Sequence, residues 1–173
     1  VALLVIIGVV LLAGCNPKTQ TPTPTAETIA TEVVMTELPG KLTIREELNI
    51  PQGNLISEIQ GAGHRSPLIS KTVTNVFGIV TAKRGDGFYL QDPEGDGDPA
   101  TSEGIAVVIR GFPKMVPGDA ILIKTGEVKE FNPAGEGSNS LTITQIQTND
   151  FEILGSGYPI PEATIIGMGG RVP

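Results

Sequence analysis

Hydrophobic and polar positions along the chain fall into three successive patterns. Residues 1–14, "VALLVIIGVVLLAG", are apolar throughout and carry no charge. "NPKTQTPTPTAETIATEVVMTELPG" follows, with alternating Thr-Pro and seven threonines from Thr19 to Thr36. From about Ile56 the pattern is that of β-structure. "TVTNVFGIVTA" (Thr72–Ala82), "GFYLQD" (Gly87–Asp92), "GIAVVIRG" (Gly104–Gly111), "GDAILIKTGEVKEF" (Gly118–Phe131), "LTITQIQ" (Leu141–Gln147) and "FEIL" (Phe151–Leu154) are β-branched, roughly alternating, and separated by Gly-, Pro- and Asp-rich turns. Such runs predict strands. Interior Gly78 and Gly126 predict a bend or bulge in the two long ones. No segment after residue 50 holds a helical period of useful length.

Five or six short strands, two of them long and bent, predict an all-β chain. The architecture expected is an OB-fold-like five-stranded Greek-key barrel. The pattern alone also permits a small β-sandwich. The organisation reads as an incomplete signal peptide at 1–14, a Cys-initiated Thr/Pro-rich tether at 15–50, the barrel at 51–157, and a linker at 158–173.

Composition supports the turn-rich reading: 22 Gly and 14 Pro in 173 residues suit short strands better than long helices. The net charge of −7 comes from nineteen acids and twelve bases, all beyond residue 14. It argues against general electrostatic attraction to nucleic acid while leaving room for a local basic face. A single cysteine excludes a disulfide within the chain. The single histidine, His64, lies in "GAGHRSP" and reads as an exposed loop residue, not a catalytic base, because nothing near it in sequence suggests a partner. Asp86 and Asp119 sit in Gly-Asp turns and read as turn formers.

The apolar run would span roughly 20 Å as a helix, short of a hydrocarbon core of about 30 Å, and so fits a signal peptide better than a stable span. No initiator Met or positive residue precedes it, so the sequence is expected to begin partway through that signal. The end of this run, "LLAGC" (Leu11–Cys15), resembles over Leu12 to Cys15 the lipobox of bacterial lipoproteins. The resemblance implies cleavage before Cys15, a diacylglycerol on its sulfur, and an exported protein anchored by lipid at the cell envelope. Two or three acyl chains would hold it on a membrane, where one is marginal. The Thr/Pro segment cannot bury enough apolar surface to offset chain entropy, and so reads as an extended, disordered tether.

The most heavily charged stretch is "DPEGDGDPATSE", Asp92 to Glu103. With Asp92 as position 1, Glu94, Asp96, Asp98 and Glu103 fall at 3, 5, 7 and 12, and Gly97 at 6. That spacing approaches an EF-hand loop, and calcium takes six to eight oxygen ligands from such flexible carboxylate loops. The loop departs from the EF-hand at Pro99 and has no flanking helices. It reads either as a Ca2+ site built from Asp92, Glu94, Asp96, Asp98 and Glu103, or as a solvated acidic turn.

On the second strand, alternation places one of Phe88 and Tyr89 inward and the other outward. Strands 2 and 3 carry the ligand face of an OB-fold, and an exposed Tyr89 there could stack on a base. Lys83 and Arg84 in the preceding turn, and Arg110 after the third strand, are candidate phosphate contacts; the alternative for each is a solvated turn charge.

Taken together, "EIQGAGHRSPL", "V-x-G-I-V-T-A", "GFYLQDPEGDGDPATSEGIAV", and "VPGD" followed by "TGEVKEF" resemble the OB-like domain of secreted bacterial nucleases, over about residues 56–155. The resemblance implies an OB-fold, an extracellular setting and an accessory role binding single-stranded DNA or RNA. It also implies an endonuclease/exonuclease/phosphatase catalytic domain following in cis, which this sequence lacks. "GMGGRVP" resembles the lead into that domain, and no catalytic residue carries over. The competing reading is a lipoprotein domain that binds saccharide or protein or acts as a spacer, since fold does not fix function.

Overall fold

The computed structural model of the chain describes residues 42–112, 114–135 and 137–170. Cys15 and most of the predicted tether lie outside them. The described elements are α1 (Ile44–Glu47), α2 (Ile56–Gln60), β1 (Thr72–Arg84), β2 (Gly87–Gln91), β3 (Gly104–Val108), β4 (Ala120–Phe131) and β5 (Ile143–Gly155). β1 pairs antiparallel with both β2 and β4, β2 with β3, and β4 with β5, while β3 and β5 run parallel. The ring β1-β2-β3-β5-β4 therefore closes on β1. The protein is all-β with the expected OB-like order; one sheet closing on itself replaces the alternative of two packed sheets. The two short C-terminal strands of the sequence reading are a single strand, β5.

The inward face is apolar. Val76 and Val80 of β1, Phe88 and Leu90 of β2, Ile105 and Val107 of β3, Ile121 and Ile123 of β4, and Ile146 of β5 form one buried cluster. Phe88 meets Phe151 edge-on, ring centroids 6.0 Å apart. Ile123 and Val128 both join this cluster although they are five residues apart. Strict alternation would point one of them outward. The phase changes between Ile123 and Gly126: Lys124 and Thr125 are both exposed, and the β4–β5 register shifts between Ile123 and Thr125 with the extra residue on β4. The predicted irregularity of β4 therefore lies just before Gly126. Gly78 marks a close approach instead: a Cβ there would stand 2.7 Å from Leu90 Cγ and 2.8 Å from the Gln91 carbonyl oxygen. The β1–β2 register shift lies further on, between Val80 and Ala82.

Two short helices finish the core. Ile56 and Ile59 of α2, at i and i+3 on one side of a single turn, join the inward cluster fully buried. Two apolar positions are too few to form a visible helical period, which is why α2 has no signature in the sequence. The α1 segment covers the outside of the ring. Phe77 and Ile79 of β1, with Ala120 and Leu122 of β4, pack beneath Ile44, Leu48 and Ile50. The Thr43 hydroxyl accepts the Glu46 N–H, and the Glu46 carboxylate accepts the Thr43 N–H, a capping box that starts α1. The folded part therefore reaches back into the stretch read as tether, ahead of residue 51.

Candidate functional site

The parallel β3–β5 pairing is short. Only Ala106–Val108 face Gln145–Gln147, so Gly104 and Ile105 of β3 diverge from Ile143 and Thr144 of β5. An open cleft of about 460 Å³ fills the divergence. Its floor and walls include Tyr89 and Gln91 of β2, Ala106 of β3, Thr81 of β1, Thr142 just before β5 and Thr144 at its start, and Gln60 and His64 from α2 and the loop after it. The Gln60 amide donates to the Gly104 carbonyl, 2.5 Å away, which the diverging strand leaves without a β5 partner.

Alternation settles β2: Phe88 is buried and Tyr89 is 43% exposed at the cleft. The Arg84 guanidinium lies over the Tyr89 ring, 5.8 Å from its centroid, and pairs with Asp86 (Nε–Oδ1 2.6 Å). Arg84 is thus both a cation beside an aromatic ring and half of an ion pair across the β1–β2 turn. Lys83 is exposed at the end of β1. Arg110 is exposed beyond β3, outside the cleft, and its backbone N–H donates to Asn149 Oδ1. Asp86 and Asp119 do form turns: Asp86 lies in the two-residue turn between β1 and β2, and the Asp119 carboxylate accepts the Val116 N–H.

Behind the cleft, Glu130 accepts the Ser66 N–H (2.8 Å) and the Thr144 hydroxyl (2.9 Å). Burial pushes its carboxyl up, but donation from Thr142, Ser66 and Thr144, with the charge of Arg65, outweighs that and holds it below the usual value. His64 is exposed and in a loop, as read from the sequence. That the loop folds over the cleft was not foreseen. Nor were Gln60, Gln91, Thr81, Thr142 and Thr144, uncharged residues from separate segments that only the closed ring brings together.

The acidic loop is organised by its own backbone and by Arg45. Asp92, buried, holds Arg45 Nη2 at 2.5 Å and accepts the Glu94 N–H on its other oxygen. Glu94 accepts the Arg45 N–H, with its second oxygen 3.6 Å from Nε. Asp96 accepts from Asp98 N–H and Thr101 Oγ1, and Asp98 accepts the Ala100 N–H. Glu103 takes the Asp96 N–H on Oε1, while Oε2 is buried without a hydrogen-bond partner. Burial, with the charges of Asp96 and Asp92, pushes the Glu103 carboxyl up; the Asp98 N–H holds Asp96 down. Among the described residues no three His, Cys, Asp or Glu side chains converge as a metal-ligand set. No described helix is long and apolar enough to cross a membrane.

No family model, curated protein or solved structure matches the chain.

Proposed function

We propose that this domain is a ligand-gripping module that takes single-stranded nucleic acid on its β2–β3 face, as the accessory part of a lipid-anchored extracellular nuclease. The observation that carries the reading is Tyr89, an exposed ring at the mouth of a cleft, with a guanidinium stacked over it, where an OB-like ring places its ligand. A base on Tyr89 would be worth roughly 1–3 kcal/mol, and Arg84 with Lys83 would meet the neighbouring phosphates. Anchoring through Cys15 belongs to the same proposal and rests on "LLAGC" after the apolar run. Calcium in the Asp92–Glu103 loop also belongs to it. The unpartnered Glu103 Oε2 favours an ion there, and Arg45, already on Asp92 and Glu94, competes with one.

Anisotropy with labelled oligonucleotides at two salt concentrations tests the binding. Weak binding with a shallow salt slope is expected, and Tyr89→Ala should weaken it by roughly 5- to 150-fold. No binding even at low salt ends the nucleic-acid reading. One observation then favours a saccharide: the cleft lining is largely uncharged, with Gln60, Gln91, Thr81, Thr142 and Thr144 beside an aromatic ring, on a chain of charge −7. Glycan arrays with the same protein would show it.

A further inference from the structure

The loop joining β3 to β4 carries a feature that the cleft does not use. Phe112 is 92% exposed at its tip, and Val116 is half exposed. Arg110 and Lys114 flank the ring, both exposed, and residues 109–118 contain no acid although the chain as a whole is strongly acidic. Among the described residues neither base pairs with a carboxylate, whereas Arg84 and Lys129 both do. A large ring held in water between two uncommitted cations is an unusual placement for a loop that also has a buried anchor, Met115, to pack against.

The loop lies on the same track as Tyr89. Tyr89 stands opposite Ala106 in the β2–β3 register, and Ile105 and Val107 point inward. Ala106, Val108 and Arg110 therefore share the outward side. Four residues from Ala106 to Arg110 cover roughly 13 Å. The Ile109 N–H bond to the Asp86 carbonyl, 2.9 Å, ties the start of this loop to the turn that carries Arg84. The carboxylates along the way are committed: Asp86 to Arg84, and Glu127 to Lys129.

We propose that Phe112, with Arg110 and Lys114, is a second contact point for the same strand: a base stacks on the Phe112 ring and phosphates pass between the two cations. The site takes a single-stranded oligonucleotide long enough to run from Tyr89 over Arg84 to the β3–β4 loop, within the 4–16 nucleotides that one OB-fold covers. The inference rests on the proposed nucleic-acid function and extends it from one ring to two.

The test compares a labelled tetranucleotide with a dodecanucleotide on the whole chain, on Phe112→Ala, and on Arg110→Gln/Lys114→Gln. Because the ring is almost wholly in solvent, Phe112→Ala should melt with the parent. It should weaken the dodecamer at least fivefold and leave the tetramer unchanged, whereas Tyr89→Ala should weaken both. The double variant should reduce the slope of log K against log salt for the dodecamer by about 1.4, two phosphates of single strand. If Tyr89→Ala weakens both oligomers and Phe112→Ala weakens neither, the second site is wrong and the first stands. If no oligonucleotide binds, both fall. A third arm uses vesicles of an anionic phospholipid. Vesicle binding that Phe112→Ala abolishes, with oligonucleotide binding untouched, would make the loop a membrane contact and overturn the proposal.

Discussion

Arg45 lies over the Phe77 ring, 5.2 Å from its centroid, and points its guanidinium at Asp92 and Glu94. Asp92 is buried, and Arg45 is the cation that pairs with it. Replacing Arg45 by Met keeps the stem on Phe77 but leaves the carboxylate alone. Breaking a buried pair from one side costs about 3–5 kcal/mol. Arg45→Met should lose close to that in a denaturant titration, and adding Asp92→Asn should recover part of it; a single variant as stable as the parent would refute the pairing. Glu130 gives the pH prediction. Its carboxyl is held below the usual value in the folded state, so the stability it supplies is present above the unfolded value, near 4.5, and is lost as pH falls through the folded one. Glu130→Gln should therefore melt below the parent at pH 7, and the gap should close below about pH 4.5. A gap that stays constant with pH would mean that the group does not titrate differently on folding.

Among the elements, the acidic loop has the most at stake. Should calcium bind there, mass action raises the melting temperature of the parent with calcium over that in chelator. Glu103→Gln, which alters a buried carboxylate oxygen of this loop that lacks a partner, should abolish the difference. Identical melts of the parent in both conditions, with a flat calorimetric titration, would leave the loop a self-bonded acidic turn. The spacing of its carboxylates was plain in the sequence; Arg45, 47 residues before Asp92, was not, because no local pattern points across that distance. The strands were legible as β-branched runs between turns: alternation marks β2, while the covered parts of β1 and β4 read as continuous apolar runs. β5 read as two strands because Thr148, Asn149 and Asp150 interrupt its apolar positions; past Gln147 it pairs with β4 alone, and most of that outer side meets solvent. Helix α1 is one turn whose worth lies in what it covers. Tyr89 could be found from its alternation with Phe88. The rest of the cleft could not, since its neutral side chains have no spacing of their own.

At the scale of the molecule, β1 and β4 are buried on both faces between the inward core and the cover of Ile44, Leu48 and Ile50. Ile79 has strand neighbours on either side, Gln91 and Ala120. β2 and the Ala120–Ile123 part of β4 have strand neighbours on both sides. Where β3 and β5 part, Gly104 and Ile105 have only β2 beside them, and Ile143 and Thr144 only β4. That seam is also the wall of the cleft.

A wall with one neighbour is where the ring should breathe. Amide protons at 104–105 and 143–144 should exchange with deuterium well ahead of those at 76–80 and 120–123, because the latter are buried on both faces and the seam borders the open cleft. A ligand seated in the cleft would slow that exchange without touching the slow protons of β1, which gives a readout of occupancy that needs no label on the ligand. Uniform protection around the ring would mean that the seam is as tight as the rest, and that the cleft is a fixed dent in the surface and not a place where the barrel opens.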